Sequence, residues 1–412
     1  MKTVRLTMAQ ALVRYLTAQQ SDDAPLFAGV FAIFGHGNVA GLGEALYAAR
    51  ETLPTYRPHN EQAMAFAAIA FAKASRRRRM MACTTSIGPG ATNMVTAAAV
   101  AHVNRLPVLL LPGDIFASRR PDPVLQQLET AADPTVTVND CFRPVSRYWD
   151  RITRPEQLVT SLPQALRVLT DPAECGPVTL CLPQDVQTQA YDYPEEFFAP
   201  RQHRLRRQGP DPDELAAAAA ALEAAERPLI IAGGGVVYSD AGAALADFAA
   251  RHAIPVAETQ AGKGALAWDH AKNVGAIGVT GSSAANALAE DADLVLAIGT
   301  RLQDFITGSR ALFQNPDMRL IQLNVSAFDA GKHGALALAA DARRGLEELG
   351  AALGTWAAPD AWSARAAELM AAWNEAVERV TAASNAPLPS DAQVIGAVNR
   401  NAGDEAIVVC AA

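Results

Sequence analysis

The residues best suited to chemistry are in the segment PHNEQAMAF, residues 58–66, where Glu61 precedes a stretch that is almost wholly apolar. A carboxylate beside an apolar helix face can share a proton with a ligand. It can also interact with the helix dipole and cap free backbone amides, an effect worth about 0.3–1 kcal/mol. The residue types alone leave both roles open for Glu61.

A glycine-rich segment at 84–93, TTSIGPGATN, joins a predicted buried strand to a predicted helix. Glycines and small hydroxyl side chains allow a ligand to approach the backbone closely. No Gly-Lys-Ser/Thr follows, and the glycine spacing differs from that of a dinucleotide fingerprint. The segment is therefore either a tight strand-to-helix turn or a ligand loop that does not bind a nucleoside triphosphate.

Histidines in two polar loops are further candidates. His36 lies in GHGN directly after the first predicted strand, at the carboxyl edge where open α/β sheets bind their ligands. A histidine there can move protons on a substrate, or it can simply hydrogen-bond the backbone. Asn38 is a candidate of the same kind, and His59 either holds its own loop or faces the substrate.

The elements that must position these residues follow from the hydrophobic pattern. Short apolar runs alternate with longer alanine-rich stretches, a pattern typical of a parallel sheet wrapped by helices. Predicted strands span 29–34, 80–84, 108–111 and 178–182, and predicted helices span 61–73, 90–104 and 155–169. We therefore predict one doubly wound α/β domain at 1–190.

Beyond residue 190 the pattern breaks and then resumes. Residues 191–212 are polar and contain prolines, which predicts an interdomain linker. Further predicted helices span 213–225, 241–252 and 282–290, and further predicted strands span 228–232, 254–257, 294–298 and 320–324. They indicate a second, central α/β domain with a parallel sheet at 213–355.

The last part of the chain is assigned to a helix and linker at 356–388 and to the beginning of a third domain at 389–412. It closes on AIVVCAA, residues 406–412, which has the composition of a buried strand. A buried strand needs cover on both faces, so we expect the chain to be truncated within that third domain.

Composition excludes several classes of function. The net charge is −8 and the basic residues are scattered, so we expect no nucleic-acid partner. The longest apolar runs, 63–72 and 95–103, are shorter than the roughly 20 residues of a membrane-spanning helix. The first residues lack the features of a signal peptide, which predicts a cytoplasmic protein. Five cysteines without a C-x-x-C pair indicate neither a disulfide framework nor a zinc site.

Several of these segments together resemble the thiamine-diphosphate-dependent enzymes of the acetolactate synthase superfamily. The segments are PHNEQ at 58–62, TSIGPGATN at 85–93, GPVTLCLPQDVQ at 176–187, RPLIIAGGG at 227–235 and DLVLAIGTR at 293–301. The resemblance thus spans essentially the whole chain. Within the superfamily, FGHGNVAGLGEA at 34–45, the extra Ile87 and PDPVLQQLE at 121–129 are most similar to the hydrolases that open a cyclic diketone in inositol breakdown.

The resemblance implies thiamine diphosphate as the cofactor. Glu61 would hydrogen-bond the pyrimidine ring and favour its imino form, and the ylid formed in consequence would attack one carbonyl of the diketone. The bond between the carbonyls would break, and water would release a carboxylate. The implied catalytic residues are Glu61 and His36; the implied cofactor contacts are Glu61, Thr85, Ser86, Gly88, Pro89, Gly90, Asn93 and Gln126; the substrate candidates are His36, Asn38 and His59.

The resemblance also implies Mg²⁺, held in a third domain by a Gly-Asp-Gly motif and a later Asn. No Gly-Asp-Gly occurs here, so no metal ligand is assigned. In the second domain Gly233 and Gly235 begin a dinucleotide pattern, but Tyr238 replaces the third small residue, which favours a non-binding glycine turn. Residues 299–301, GTR, resemble part of the FAD site of acetolactate synthases. Hydrolysis of a ring diketone involves no redox step, however, so FAD is not expected. Related enzymes bind the cofactor between subunits, which implies a homodimer or homotetramer.

Three functions remain open from the sequence. The first is thiamine-diphosphate-dependent hydrolysis of a carbon–carbon bond in a cyclic diketone, which yields a deoxyglucuronic acid. The second is an acetolactate-synthase-like carboligase that acts on pyruvate. The third is an inactive remnant or binding module that folds without doing chemistry.

Overall fold

The short apolar runs of the sequence form two parallel sheets of six strands each. The computed structural model describes residues 2–22, 24–403 and 405–409. The chain divides between Arg206 and Arg207 into two units, and each unit has its own sheet and its own apolar core. The α/β class with parallel sheets is therefore confirmed.

The first unit holds the candidate residues. Its strands are β1 (Thr3–Thr7), β2 (Gln19–Ser21), β3 (Ala24–Pro25), β4 (Phe27–Ala32), β5 (Thr55–Tyr56), β6 (Met80–Thr85), β7 (Val108–Asp114), β8 (Tyr148–Arg151), β9 (Pro177–Pro183), β10 (Ala190–Pro194) and β11 (Arg201–His203). Its helices are α1 (Met8–Thr17), α2 (Glu44–Ala48), α3 (Glu61–Ala74), α4 (Pro89–Thr92), α5 (Val95–Asn104), α6 (Leu158–Thr170) and α7 (Gln184–Gln187).

The strand order of the main sheet determines where a ligand can bind. The order is β5-β4-β6-β7-β9-β8, and all neighbouring strands are parallel. From β4 the chain continues to β5 on one side and then to β6 on the other side of β4. The switch point of the sheet therefore lies between β4 and β6. The loops that follow two such strands diverge and open a crevice at their carboxyl ends. The His36 loop follows β4 and the glycine-rich turn follows β6, so both motifs lie at this crevice.

Two predicted helices of the first unit are interrupted. The predicted helix 90–104 consists of α4 and α5, because Asn93 and Met94 form a turn between them. The predicted helix 155–169 begins as a 3-10 turn, Pro155–Gln157, and continues as α6. The first interruption affects the site, because it separates Asn93 from the regular helix.

The predicted linker 191–212 is wrong for much of its length. Strand β10 pairs antiparallel with β1, and β11 pairs parallel with β2, so both belong to the first unit. The aromatic side chains explain the difference. Tyr193 is fully buried and stacks on Phe197, and the Phe197 ring also stacks on Tyr15 with 4.6 Å between centroids. The prolines and charges suggested a linker, whereas the aromatic residues bury this segment.

The second unit also has a doubly wound sheet, of order β14-β13-β12-β15-β16-β17 with all neighbours parallel. Its strands are β12 (Pro228–Ala232), β13 (Val256–Glu258), β14 (Asn273–Ala276), β15 (Leu294–Ile298), β16 (Arg319–Asn324) and β17 (Leu336–Ala339). Its helices are α8 (Pro212–Glu223), α9 (Gly234–Tyr238), α10 (Gly242–Arg251), α11 (Ser283–Asp291), α12 (Asp304–Thr307), α13 (Ala327–Ala330), α14 (Ala342–Leu353), α15 (Asp360–Thr381) and α16 (Asp391–Asn401). The edge strands β14 and β17, each four residues long, were not predicted.

The predicted closing strand is wrong over the residues that the structure describes. Residues 406–409 belong to no sheet, and Ile407 and Val409 are exposed. Residues 410–412 of that prediction lie outside the described part of the chain. An apolar composition is not enough for a strand, which also needs a neighbouring strand to pair with. Among the described helices, none combines the length and hydropathy needed to cross a membrane.

Candidate functional site at the switch point

Glu61 is the first residue of α3 and is held there from two sides. Asn60 caps the helix, because its side-chain oxygen accepts a hydrogen bond from the Ala63 amide at 2.9 Å. The Glu61 carboxylate does not make this cap. Its Oε2 accepts a hydrogen bond from Asn93 Nδ2 at 2.8 Å, and its Oε1 has no hydrogen-bond partner within the described residues. One carboxylate oxygen therefore fixes the side chain while the other remains available.

The glycine-rich turn closes around the same carboxylate. A Cβ at Gly90 would collide with Ser86 Oγ and would lie 3.4 Å from Glu61 Oε1. Gly88 has φ +65°, and a Cβ there would collide with the backbone oxygen of Gln126. The absence of a Cβ at these glycines thus allows the Ser86 side chain and the Gln126 carbonyl to pack against the turn beside Glu61.

The His36 loop packs directly on the glycine-rich turn. The His36 carbonyl accepts a hydrogen bond from the Ile87 amide at 3.0 Å. A Cβ at Gly35 would lie 3.1 Å from Ser86 Cβ. The Nε2 atom of His36 is buried and has no hydrogen-bond partner among the described residues. A buried polar atom without a partner is costly in a protein, so it marks a position where a ligand atom can bind.

Asn38 has surroundings that differ from the predicted substrate contact. Asn38 is 2% exposed, and both polar atoms of its side chain are hydrogen-bonded. The Oδ1 atom accepts from the Gly35 amide at 3.0 Å, and Nδ2 donates to the Ile33 carbonyl and to Thr84 Oγ1, both at 3.2 Å. These hydrogen bonds hold the His36 loop in shape. Because they use both polar atoms of the Asn38 side chain, we assign Asn38 a structural role in place of the predicted substrate contact.

The other candidate residues differ in how closely they approach the site. Thr85 is fully buried and its hydroxyl donates to the Ser86 carbonyl at 2.9 Å, so its role is to shape the turn. Pro89 is exposed and occupies the first position of α4, where its fixed φ suits a helix start. His59 is exposed in the loop before α3. The structure therefore groups Glu61, Ser86, Gly88, Gly90, Asn93 and the His36 loop together.

Gln126 reaches the turn through its backbone. It lies in the loop of residues 115–137 that follows β7, and its φ is +65°. The side chain is exposed, while the carbonyl oxygen rests against Gly88. Gln127 braces the same bend: its Oε1 accepts from the Val124 amide at 3.0 Å and its Nε2 donates to Asp122 at 3.1 Å.

Two polar residues of α7 support the site and were not predicted. Gln187 is buried, donates to the carbonyls of Gly37 and Leu182, and accepts from the Leu42 amide at 3.1 Å. Asp185 accepts from the amides of Ala117 and Ser118 at 2.8 and 3.1 Å. Polar residues directly after the buried strand β9, at the same carboxyl edge, were the sequence feature that could have indicated them.

An ionic cluster at the carboxyl end of β7 was also missed by sequence reasoning. Arg151, the last residue of β8, pairs with Asp114 and Asp140, each at 2.8 Å. Burial disfavours the charge on Arg151, but Asp114 and Asp140 together hold its pKa above the usual value. Burial likewise opposes ionisation of Asp140, but hydrogen bonds from the Thr137 amide, Arg151 and Arg143 lower its pKa.

The glycines of the second unit serve close packing. The Gly233 amide donates to the Ile298 carbonyl at 2.8 Å, and the Gly235 amide donates to the Gly299 carbonyl at 3.0 Å. A Cβ at Gly235 would lie 2.6 Å from Gly299 Cα. These amides lie where β12 and β15 diverge, and both donate to carbonyls of the protein. No cluster of three or more metal-binding side chains is found in the described ranges.

Comparison with known proteins identifies both units. Residues 6–133 match the family model for the N-terminal, cofactor-binding domain of thiamine pyrophosphate enzymes. Residues 215–349 match the model for the central domain of the same enzymes. The first match includes Glu61, the His36 loop, the glycine-rich turn and Gln126.

The chain is also similar to curated bacterial enzymes named 3D-(3,5/4)-trihydroxycyclohexane-1,2-dione hydrolase. It is 51% identical to the Clostridium tetani (strain Massachusetts / E88) protein over 353 residues, which cover 85% of this chain and 55% of that protein. It is 50% identical to the Geobacillus thermodenitrificans (strain NG80-2) protein over 384 residues, which cover 92% of this chain and 60% of the relative. The chain therefore spans little more than half the length of these relatives.

Proposed function

Because the chain belongs to the thiamine pyrophosphate enzyme family, we propose that it supplies the pyrimidine-binding part of a hydrolase that opens trihydroxycyclohexane-1,2-dione. The product would be 5-deoxy-glucuronate, formed in myo-inositol degradation by hydrolytic cleavage of a carbon–carbon bond. The observation that carries this proposal is the Glu61 carboxylate, held by Asn93 beside a cradle of glycines at the switch point.

The described residues fit the pyrimidine end of thiamine diphosphate. Glu61 Oε1 accepts no hydrogen bond within the described residues, and His36 Nε2 is buried without a partner among them. Glu61 would hold a proton at a ring nitrogen of the cofactor. Bound thiamine diphosphate supplies a nucleophilic carbon and an electron sink for breaking the bond between two carbonyls.

The protein's own residues have separate tasks in this proposal. Asn93 orients the Glu61 carboxylate by its hydrogen bond to Oε2. Gly88 and Gly90 allow the Gln126 carbonyl and the Ser86 side chain to pack closely on the turn that carries Asn93. His36 would hold or move a proton on the substrate through Nε2, since this atom has no competing bond among the described residues. Asn38 and Gln187 keep the His36 loop in place.

Other parts of the proposal concern groups outside the described site. We propose that Mg²⁺ accompanies the diphosphate, although the described residues offer no cluster for it. We further propose a homodimer or homotetramer, and a cytoplasmic location remains a prediction from the sequence. We do not propose FAD, which has no role in hydrolysis, and the Gly233 and Gly235 amides make internal hydrogen bonds.

The test compares two carboxylates that both begin helices of the first unit. The protein is assayed at full length, with this chain joined to the rest of the proposed hydrolase, in the presence of thiamine diphosphate, Mg²⁺ and the ring dione, and acid formation is measured. Glu61→Gln is expected to keep the fold, checked by circular dichroism, and to lower turnover at least about 100-fold, as loss of a positioned proton-transfer group does. The control Glu44→Gln removes the exposed first carboxylate of α2 and is expected to retain activity within about twofold.

Each contrary outcome has a defined meaning. A Glu61→Gln variant with a near wild-type rate would overturn the assignment of Glu61. Formation of acetolactate from pyruvate, with no opening of the dione, would replace the hydrolase by a carboligase. Calorimetric titration that detects no binding of thiamine diphosphate with Mg²⁺ would contradict the proposal and support a binding module without catalytic activity.

A further inference from the structure

The loop of residues 115–137 connects β7 to the 3-10 helix Val138–Val145 and contains no regular secondary structure. Loops longer than about 12–15 residues are uncommon in compact domains and are usually functional. At its tip the Gln126 carbonyl rests on Gly88. The position of this loop therefore determines one wall of the glycine cradle.

A single side chain bonds both ends of this loop. Arg151 Nε donates to Asp114 Oδ2, directly before the loop, at 2.8 Å. At the far end Nη1 donates to the Thr135 carbonyl at 3.2 Å, and Nη2 donates to Thr137 Oγ1 at 2.9 Å and to Asp140 Oδ2 at 2.8 Å. The Arg151 side chain is 17% exposed and that of Asp114 is 1% exposed. The two ends of the loop are thus joined by a largely buried guanidinium.

The neighbouring contacts are consistent with a fixed loop. Asp185 holds the amides of Ala117 and Ser118 near the beginning of the loop. Asn139, fully buried, donates to the Gly113 carbonyl at 2.9 Å and so connects the end of the loop to the strand before it. A guanidinium, unlike an ammonium, offers several donors in a rigid planar arrangement, which these dispersed acceptors require.

We propose that Arg151 is a positioning residue that holds the loop of residues 115–137 against the Gly88 turn, and thereby sets the wall of the cofactor site at Gln126. This inference rests on the proposed function, because the wall belongs to the proposed cofactor site. Arg151 acts through the loop, by joining Asp114 to Asp140.

The test is hydrogen exchange of the whole chain, measured by mass spectrometry on Arg151→Lys. The lysine keeps the positive charge but cannot reach Asp114, Thr137 and Asp140 together. We expect peptides from 115–137 to exchange roughly tenfold faster, with β7 and β9 unchanged within about twofold. The matched control is Arg143→Lys, because Arg143 also pairs with Asp140, at 2.6 Å, but is 55% exposed and does not bond to Asp114. It is expected to exchange like the wild type.

A second measurement tests the link to the ligand. Calorimetric titration with thiamine diphosphate and Mg²⁺ is expected to show roughly tenfold weaker binding to Arg151→Lys, with Arg143→Lys unchanged. If the wild type binds thiamine diphosphate and Arg151→Lys binds it with the same affinity, the positioning role of Arg151 is overturned. If Arg151→Lys does not fold, Asp140→Asn removes the same ion pair from the loop side, and faster exchange confined to 115–137 is again the expected result.

Different experimental results would contradict the positioning role of Arg151 and the proposed function. Loop exchange in Arg151→Lys that equals the wild type, or that rises equally in β7 and β9, would overturn the inference, since the second pattern indicates a general structural role. Exchange needs neither cofactor nor turnover. A full-length protein that shows the local effect but opens no ring dione would contradict the proposed function instead.

Discussion

At the residue scale, the site depends on how the two oxygens of the Glu61 carboxylate are used. Oε2 accepts a hydrogen bond from Asn93, which fixes the side chain, and Oε1 lies beside Gly90 and has no hydrogen-bond partner among the described residues. The sequence indicated Glu61, because a carboxylate before an apolar helix is unusual. It could not indicate the pairing with Asn93, because that pairing depends on the turn that interrupts the predicted helix 90–104.

Cysteine reactivity offers a prediction at this scale. Burial raises the pKa of the Cys175 thiol to about 11, and burial also raises the pKa values of Cys83 and Cys181. Since the thiolate is the reactive form, these three thiols are expected to react slowly at pH 8 and faster as the pH rises towards 11. Cys141 is exposed and is expected to react first.

The measurement is the rate of modification by a disulfide reagent such as DTNB. Because Cys410 lies outside the described residues, the comparison is made in a Cys410→Ser chain. Adding Cys141→Ser is expected to remove the fast phase at pH 8. A fast phase that persists in this double variant would show that one of the three buried thiols is accessible.

At the scale of the element, the glycine-rich turn and the loop of residues 115–137 depend on each other. Gly88 has a positive φ and is in contact with the Gln126 carbonyl, so two separate constraints favour glycine at this position. The sequence predicted the turn from its glycines and its place after a buried strand. It could not predict the loop that covers the turn, because no local pattern records a contact between residues so far apart in the chain.

Substitution of two glycines can separate these constraints. Gly334 has φ +70° but has no atom within 4 Å of an added Cβ, so Gly334→Ala introduces backbone strain without a collision. We expect Gly334→Ala to lower the free energy of unfolding of its unit by about 1 kcal/mol. Gly88→Ala also displaces the loop and is expected to cost about 2–4 kcal/mol. Chemical denaturation, followed for each unit, measures both values.

The difference between the losses in unfolding free energy of Gly88→Ala and Gly334→Ala reports the contribution of the contact between Gly88 and Gln126. Equal losses would show that the contact between Gly88 and Gln126 contributes nothing to stability. A larger loss in Gly88→Ala, together with faster amide exchange in 115–137, would show that the turn and the loop are held together.

At the scale of the whole molecule, the sequence predicted two α/β units with parallel sheets, and the structure shows both. The alternation of buried strands and alanine-rich helices is a strong local pattern, and it located the switch-point loops of the first unit. The predictions of the linker and of the closing strand were wrong, because contacts between distant parts of the chain determine whether these segments form strands. Strands β10 and β11 form because β1 and β2 are available as hydrogen-bonding partners. Residues 406–409 form no strand despite their apolar composition.

The proposed oligomer gives a prediction at this scale. Neighbouring helices α3 and α5 present apolar residues to solvent, including Phe66 at 37% and Val103 at 53% exposure. An apolar face of this kind next to a ligand site is typical of a surface that another subunit covers. We therefore expect the chain to self-associate through these helices.

Light scattering after size exclusion tests this expectation. Phe66→Glu is expected to shift the chain towards the monomer, since a charge on an apolar interface is costly to bury. Tyr47→Glu is the control, because Tyr47 is 71% exposed on a different helix, α2, and is expected to leave the mass unchanged. A monomeric wild type at high concentration would contradict the prediction.

The contact between Gly88 and Gln126 has a consequence for engineering. Because the loop reaches the turn with a main-chain oxygen, the Gln126 side chain is not needed for that contact and remains exposed. Leu125 and Leu128 are exposed beside it, at 68% and 53%. These positions can therefore be randomised in a mutant library while Arg151 and Asp185 hold the ends of the loop. Variants with altered substrate preference are best sought there.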